Sequence, residues 1–256
     1  MGGGFFAHFS RDIPVSLAWE AFGERNGAAS FVEMRRQIEQ YRRIQPAPHE
    51  DYRIGCILLS EPFFFSESEW IEVPRDWSRN IVQGKGYDTR SGEGARLWDQ
   101  VRLRLEAASV ADPDRLADEV AEPAMFGEPY LVRPRLGQGS FRVLVTDTYE
   151  RRCAVTGEKA LPVLDAAHIQ GVAEGGQHRL DNGLLLRSDV HRLFDSGYVT
   201  VTPESRFRVS QRLKTEFDNG EPYFPFDGHE IWLPDEPRER PNREFLEWHG
   251  DVVFRG

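Results

Sequence analysis

Apolar and polar positions along the first hundred residues switch between two periods. GGGFFAHF opens as a strand, and SLAWEAFG and FVEMRRQIEQYRRI set apolar residues three and four apart, which predicts amphipathic helices. IGCILLSEPFFF reads as one or two buried strands, and ARLWDQVRLRLEAA returns to the helical spacing. Between them lies WIEVPRDWSRNIVQGKGYDTRSGEG, rich in Gly, Pro and Trp, a loop composition that often holds a ligand or partner. Its Trp70, Trp77 and Tyr87 either line a cage that stacks an extruded base or fill a core.

The pattern changes from 109 to 134. SVADPDRLADEVAEPAMFGEPYLVRP is acidic, weakly apolar and interrupted by proline, and reads as a linker, with room for one short helix. SFRVLVTDTYERR then has helical spacing and ends before Cys153. The expectation is an α+β protein with a mixed α/β target-recognition domain over 1–108, a linker over 109–134 and a second domain over 135–256 whose core is 150–201. A chain of 256 residues is long enough for two such cores.

Composition narrows the function. No apolar run approaches the ~18 residues of a membrane-spanning helix, so no membrane partner is expected. The start, MGGGFFAHF, lacks the basic and long apolar segments of a secretory signal. Cys56 and Cys153 stand far apart and form no CxxC pair, which speaks against a zinc ribbon or a disulfide scaffold and fits a cytoplasmic location. A formal net charge of −10 argues against a general nucleic-acid coat. It leaves room for a local site, because a groove can carry its own sign and recruit a divalent cation.

The chemistry concentrates in VLDAAHIQGVAEGGQHRLDNGLLLRSDVHRLFDSG, residues 163–197. LPVLDAAHI predicts a short buried strand ending at His168, QGVAEGGQHRLDNG a glycine-rich loop, and LLL a short apolar connection. Ser188 is the expected cap of the helix DVHRLFDSG, with Asp189 in its first turn and Gly197 at its end. His191 and Asp195 are four apart on that helix, so they share a face and can grip one divalent ion of moderate hardness. His168, neutral near its ordinary pKa of ~6.5, can take a proton from water. Asn182 is neither base nor strong ligand, but its amide can fix the loop. Arg179, Arg187, Arg192 and His178 flank these residues and can touch a nucleic-acid backbone, or be no more than solvated charges and a loop histidine.

The order His168, Asn182, His191, with spacings of fourteen and nine residues, together with CAVTG upstream and NGLLLRSDVHRLFD downstream, resembles an HNH (ββα-metal) endonuclease of the prokaryotic restriction kind. LGQGSFR, YERRCAVTG, FRVSQRL and LEWHGDVVF extend the likeness over roughly 133–256. The resemblance implies that His168 activates the attacking water, that Asn182 supports loop and base, and that His191 holds one catalytic divalent metal. Mg²⁺ is the first candidate, with Mn²⁺, Ni²⁺ and Zn²⁺ as alternatives. Many members place a ligand immediately before the base, where this chain has Ala167, which ligates nothing. The second ligand is then Asp195, one helical turn beyond His191, or Asp165, on the same side of a regular strand as Ala167. The CxxC zinc knuckles frequent in the family are absent. The N-terminal part loosely resembles a PUA-like or EVE-like module that starts at its glycine-rich strand.

The function so implied is metal-dependent hydrolysis of DNA in restriction or defence, with target choice by the N-terminal domain. A homodimer is compatible with it, since cutting both strands with one site per chain would usually take two chains. The alternative is a metal-bearing DNA reader that is catalytically silent. A purely structural zinc domain would need four protein ligands, and three are in view. Cys153 and His249 read as structural residues.

Overall fold

The computed structural model describes residues 2–45, 49–78, 80–81, 84–111 and 137–256. The expected linker therefore lies, from 112 onward, outside the described residues. The fold is α+β, with seven α-helices and three two-stranded sheets among the described residues. Strand β1 (Gly2–Pro14) pairs with β2 (Arg53–Phe64), and between them in sequence come α1 (Val15–Phe22) and α2 (Phe31–Arg42). After α3 (Gly92–Ala111) come α4 (Gln138–Thr148), β3 (Leu164–His168), β4 (Gly183–Arg187), α5 (Ser188–Asp195), β5 (Val199–Val201), β6 (Phe207–Val209), α6 (Arg212–Phe217) and α7 (Arg243–Trp248).

Two compact units emerge. One combines the described residues of Met1–Phe5 and Glu61–Val132, and the other combines Phe6–Ser60 with those of Arg133–Gly256. In the first, the Trp98 ring of α3 meets Phe5 edge-on at 6.1 Å. The loop before α3 is pinned by Asp76, which accepts from Tyr87 Oη at 2.9 Å and pairs with Lys85. Trp70 and Trp77 are exposed, and no ring contact joins them to each other or to Tyr87 among the described residues.

The second unit is organised by α4. Phe141, Val145 and Tyr149 recur every four residues on one face and enter a core with Leu164, Ala167, Leu184, Leu185, Leu186, Val190 and Phe194. Val143, on another face, joins a separate cluster with Ile13, Val15, Ala18, Met34 and Leu58. A helix buried on two faces has little freedom to shift, and α4 also holds Asp147 against His8 Nε2 at 3.2 Å. Strand β2 differs from its reading as buried: Ile54, Leu58 and Ser60 point inward while Ile57 and Leu59 are exposed, as on a sheet covered on one face.

Two local expectations are corrected downstream. Leu184, Leu185 and Leu186 form the middle of β4, not a connection, and pair antiparallel with Ala167, Ala166 and Asp165. Burial on both faces removed the alternation that would have revealed a strand. Ser188 does not cap α5: its hydroxyl donates to Val163 O at 3.1 Å, and the capping position falls to Arg187, which supplies no side-chain bond. The local frame is thus strand, loop, strand, helix. Gly197 ends α5 at φ 77°, where a Cβ would lie 2.1 Å from Val253 O, so glycine is required on both counts.

Candidate active site

His168 is the last residue of β3, opposite Gly183 of β4. A Cβ at Gly183 would lie 2.6 Å from Val145 Cγ2 and 3.0 Å from the Phe141 ring, so its lack of a side chain lets α4 close on the hairpin. Phe141 in consequence stacks on the His168 imidazole, with centroids 4.0 Å apart and planes 11° apart. His168 Nε2 lies 2.9 Å from His178 Nδ1. Burial pushes the His168 pKa down to about 4, helped by charge on His178 and His191, so the ring is neutral at neutral pH. Burial also lowers His178.

Asn182 is fully buried and ties the loop between β3 and β4 into one piece. Its amide nitrogen donates to Gln170 O at 2.9 Å and Gln177 O at 3.0 Å, and its side-chain oxygen accepts from Gln170 N at 2.9 Å. The backbone adds Ile169 N to Asn182 O at 3.0 Å. These bonds set the residues that follow His168 and carry His178 back to it.

His191 is on the first half of α5 and stands between two carboxylates. Its Nδ1 is 3.4 Å from Asp165 Oδ2, across from β3, and its Nε2 is 3.3 Å from Asp195 Oδ2, one turn along. The Asp165 and Asp195 side chains keep 43% and 59% of their surface in solvent, so this corner is reachable from outside. Asp195 is pushed above the usual carboxylate range by partial desolvation, opposed by His191 and reinforced by Asp165 and Glu174. One imidazole with carboxylates that repel each other is a donor set suited to a divalent cation. Among the described residues, no three His, Cys, Asp or Glu side chains already converge as a metal cluster. Because the imidazole stands between Asp165 and Asp195, a cation would displace at least one of these contacts. Ala167 is fully buried in the core and leaves no room for a ligand there.

The flanking cations divide. Arg179 Nη2 is 2.7 Å from Asp181 Oδ2, with its guanidinium 5.7 Å from the Phe245 ring. Arg187 forms a two-pronged pair with Asp189 at 2.7 and 2.8 Å, and Tyr223 donates to the same carboxylate at 3.1 Å. Arg192 is exposed and has no ion pair among the described residues. Sequence spacing gave no sign of the Phe141 stack or of the bond between His168 and His178. The i, i+2 acid partners of Arg179 and Arg187 were visible in RLD and RSD. Cys153 Sγ accepts backbone N–H groups of Arg187 at 3.2 Å and Thr156 at 3.4 Å, and His249 is buried between Thr200 Oγ1 and Phe194 O, so both are structural.

Residues 153–202 match the family model described as HNH endonuclease, a span that contains β3, β4 and α5 with His168, Asn182 and His191. The chain therefore carries an HNH endonuclease domain in its C-terminal half. The PUA-like reading of the N-terminal part finds no support in the comparisons. No curated protein matches the chain. One solved structure, titled "Modification dependent TagI restriction endonuclease", is 20% identical over 44% of this chain, with a TM-score of 0.32, and this chain spans only 37% of that one. No helix among the described residues is long and apolar enough to cross a membrane.

Proposed function

We propose that this protein hydrolyses phosphodiester bonds in DNA with the help of one divalent cation, as a restriction or defence nuclease. The observation that carries the reading is the placement, inside the HNH match, of a neutral His168 on β3 near a carboxylate-flanked His191 on α5. His168 takes a proton from the attacking water, and the Phe141 stack and the Asn182-bound loop hold its ring in place. His191, with Asp165 and Asp195, is the set that would hold the cation, Mg²⁺ first, and the cation would supply charge stabilisation to the phosphate and the departing 3′ oxygen. Arg192 is the arginine free to meet a backbone phosphate, whereas Arg179 and Arg187 brace the loop and the start of α5 through their carboxylates.

The restriction role, and target choice by a domain over 1–108, rest on the sequence resemblance. The alternative, a silent metal-bearing DNA reader, is favoured by the missing ligand at Ala167. Incubation of supercoiled plasmid with Mg²⁺, Mn²⁺ or Ni²⁺ tests the two: the proposal expects nicked or linear product from the wild type and none from His168→Ala. Intact plasmid in every metal, with DNA still bound, supports the reader.

A further inference from the structure

The contact between His168 and His178 has a consequence for the tautomer of the base. Imidazole Nε2 of His168 and Nδ1 of His178 share one proton at 2.9 Å, so one ring donates and the other accepts. If His178 donated, His168 would carry its own proton on Nδ1, both of its nitrogens would be engaged, and the ring could accept nothing from water. If His168 donates, its Nδ1 keeps a lone pair, and that nitrogen has no hydrogen-bond partner among the described residues.

We propose that His178 is a positioning residue for the nuclease reaction: it accepts a hydrogen bond from His168 Nε2, which fixes the base with a bare Nδ1 as the atom that takes the water proton. The inference rests on the nuclease reading above and deepens it. In the step, a water O–H bond breaks and its proton moves to His168 Nδ1 while the oxygen lone pair forms the new bond to phosphorus. The bond from phosphorus to the 3′ oxygen breaks, that oxygen is protonated from solvent, and His168 Nδ1 later returns its proton to solvent. While His168 is cationic and His178 neutral, the Nε2–H bond becomes charge-assisted and stronger, which offsets part of the penalty that burial places on the protonated ring.

Three further observations agree. Phe141 is stacked on His168 and lies 5.8 Å from His178, so a single ring from α4 buttresses both imidazoles. His178 is half-buried at the end of a loop whose path Asn182 fixes through Gln177 O, which places His178 reproducibly. Among the described residues, the titratable groups acting on His168 are His178 from the loop and His191 from α5, and no carboxylate bonds its Nε2.

The direct test is the ¹⁵N resonance pattern of the imidazoles in the full-length labelled protein at neutral pH without added metal. The expected result is His168 protonated on Nε2 and bare on Nδ1, with His178 bare on Nδ1; a His168 carrying its proton on Nδ1 overturns the inference without any mutation. The kinetic counterpart uses duplex cleavage with Mg²⁺. His178→Ala is expected to lower kcat by about 10- to 100-fold with KM little changed, and His178→Asn, whose side-chain oxygen can accept in place of Nδ1, to recover most of it. Equal loss in both variants, or none in either, contradicts the role. A wild type that cuts no DNA removes the proposed function instead, and the resonance pattern still decides the tautomer.

Discussion

Asp165 of β3 and His191 of α5 meet at 3.4 Å although 26 residues separate them in sequence. The ββα frame brings the carboxylate at the second position of the strand over the first half of the helix, and Asp195 reaches the same imidazole from the other side. Both carboxylates proposed from sequence as the second ligand therefore border His191, and the choice between them becomes a matter of measurement.

If both serve the cation, Asp165→Asn and Asp195→Asn should each raise the Mg²⁺ concentration for half-maximal cleavage, by roughly tenfold or more. Metal titration of the cleavage rate gives the answer. An unchanged requirement in one variant assigns the role to the other residue.

Asn182→Ala removes three side-chain hydrogen bonds from a fully buried position and strands the carbonyl and the N–H of Gln170, whereas Gln177 O keeps its bond from Arg179 N. At about 1 kcal/mol each, with an added cost for the stranded groups, the loss of stability should be roughly 2–4 kcal/mol. Urea denaturation measures it, and a change below about 1 kcal/mol would mean that the loop is held by other contacts.

Gly183→Ala forces a methyl group against Val145 and Phe141. Overpacking of this kind costs about 1–3 kcal/mol, and here it also pushes Phe141 off the His168 ring. The expected outcome is a lower midpoint in denaturation together with a reduced kcat. A fully stable variant with reduced kcat would separate the two effects.

Much of this region was legible in the sequence, and the gaps have physical causes. The strand ending at His168, the helix bearing His191 and the helix of α4 followed from periodicity and from the terminal Gly197. Strand β4 was hidden because its three leucines are buried on both faces and show no alternation. The His178 contact was hidden because it depends on a loop folding back through backbone carbonyls, which leave no mark on residue type. The same holds for Ser188, whose hydroxyl finds Val163 O instead of its own helix.

Acid should destabilise the fold. The pKa values of His168 and His249 are held down at about 4, so below about 6.5 the unfolded chain binds protons that the native state refuses. Stability is full above pH 6.5 and declines as pH falls toward 4. For His249, 2% exposed, the contribution reaches up to about 3 kcal/mol at the acid end. Urea midpoints between pH 7 and pH 4 would record the fall, and a flat profile would contradict the depressed values.

The proposed roles of His168 as the base for hydrolysis and of His191 as a holder of the cation stand or fall together. Single-turnover cleavage of an end-labelled DNA duplex at saturating Mg²⁺ tests them most directly, with wild type compared against His168→Ala and His191→Ala in folded samples. Losses on the order of 100-fold or more in the cleavage rate for both variants, with duplex binding retained, are predicted. Rates within a fewfold of wild type in either variant would contradict the account.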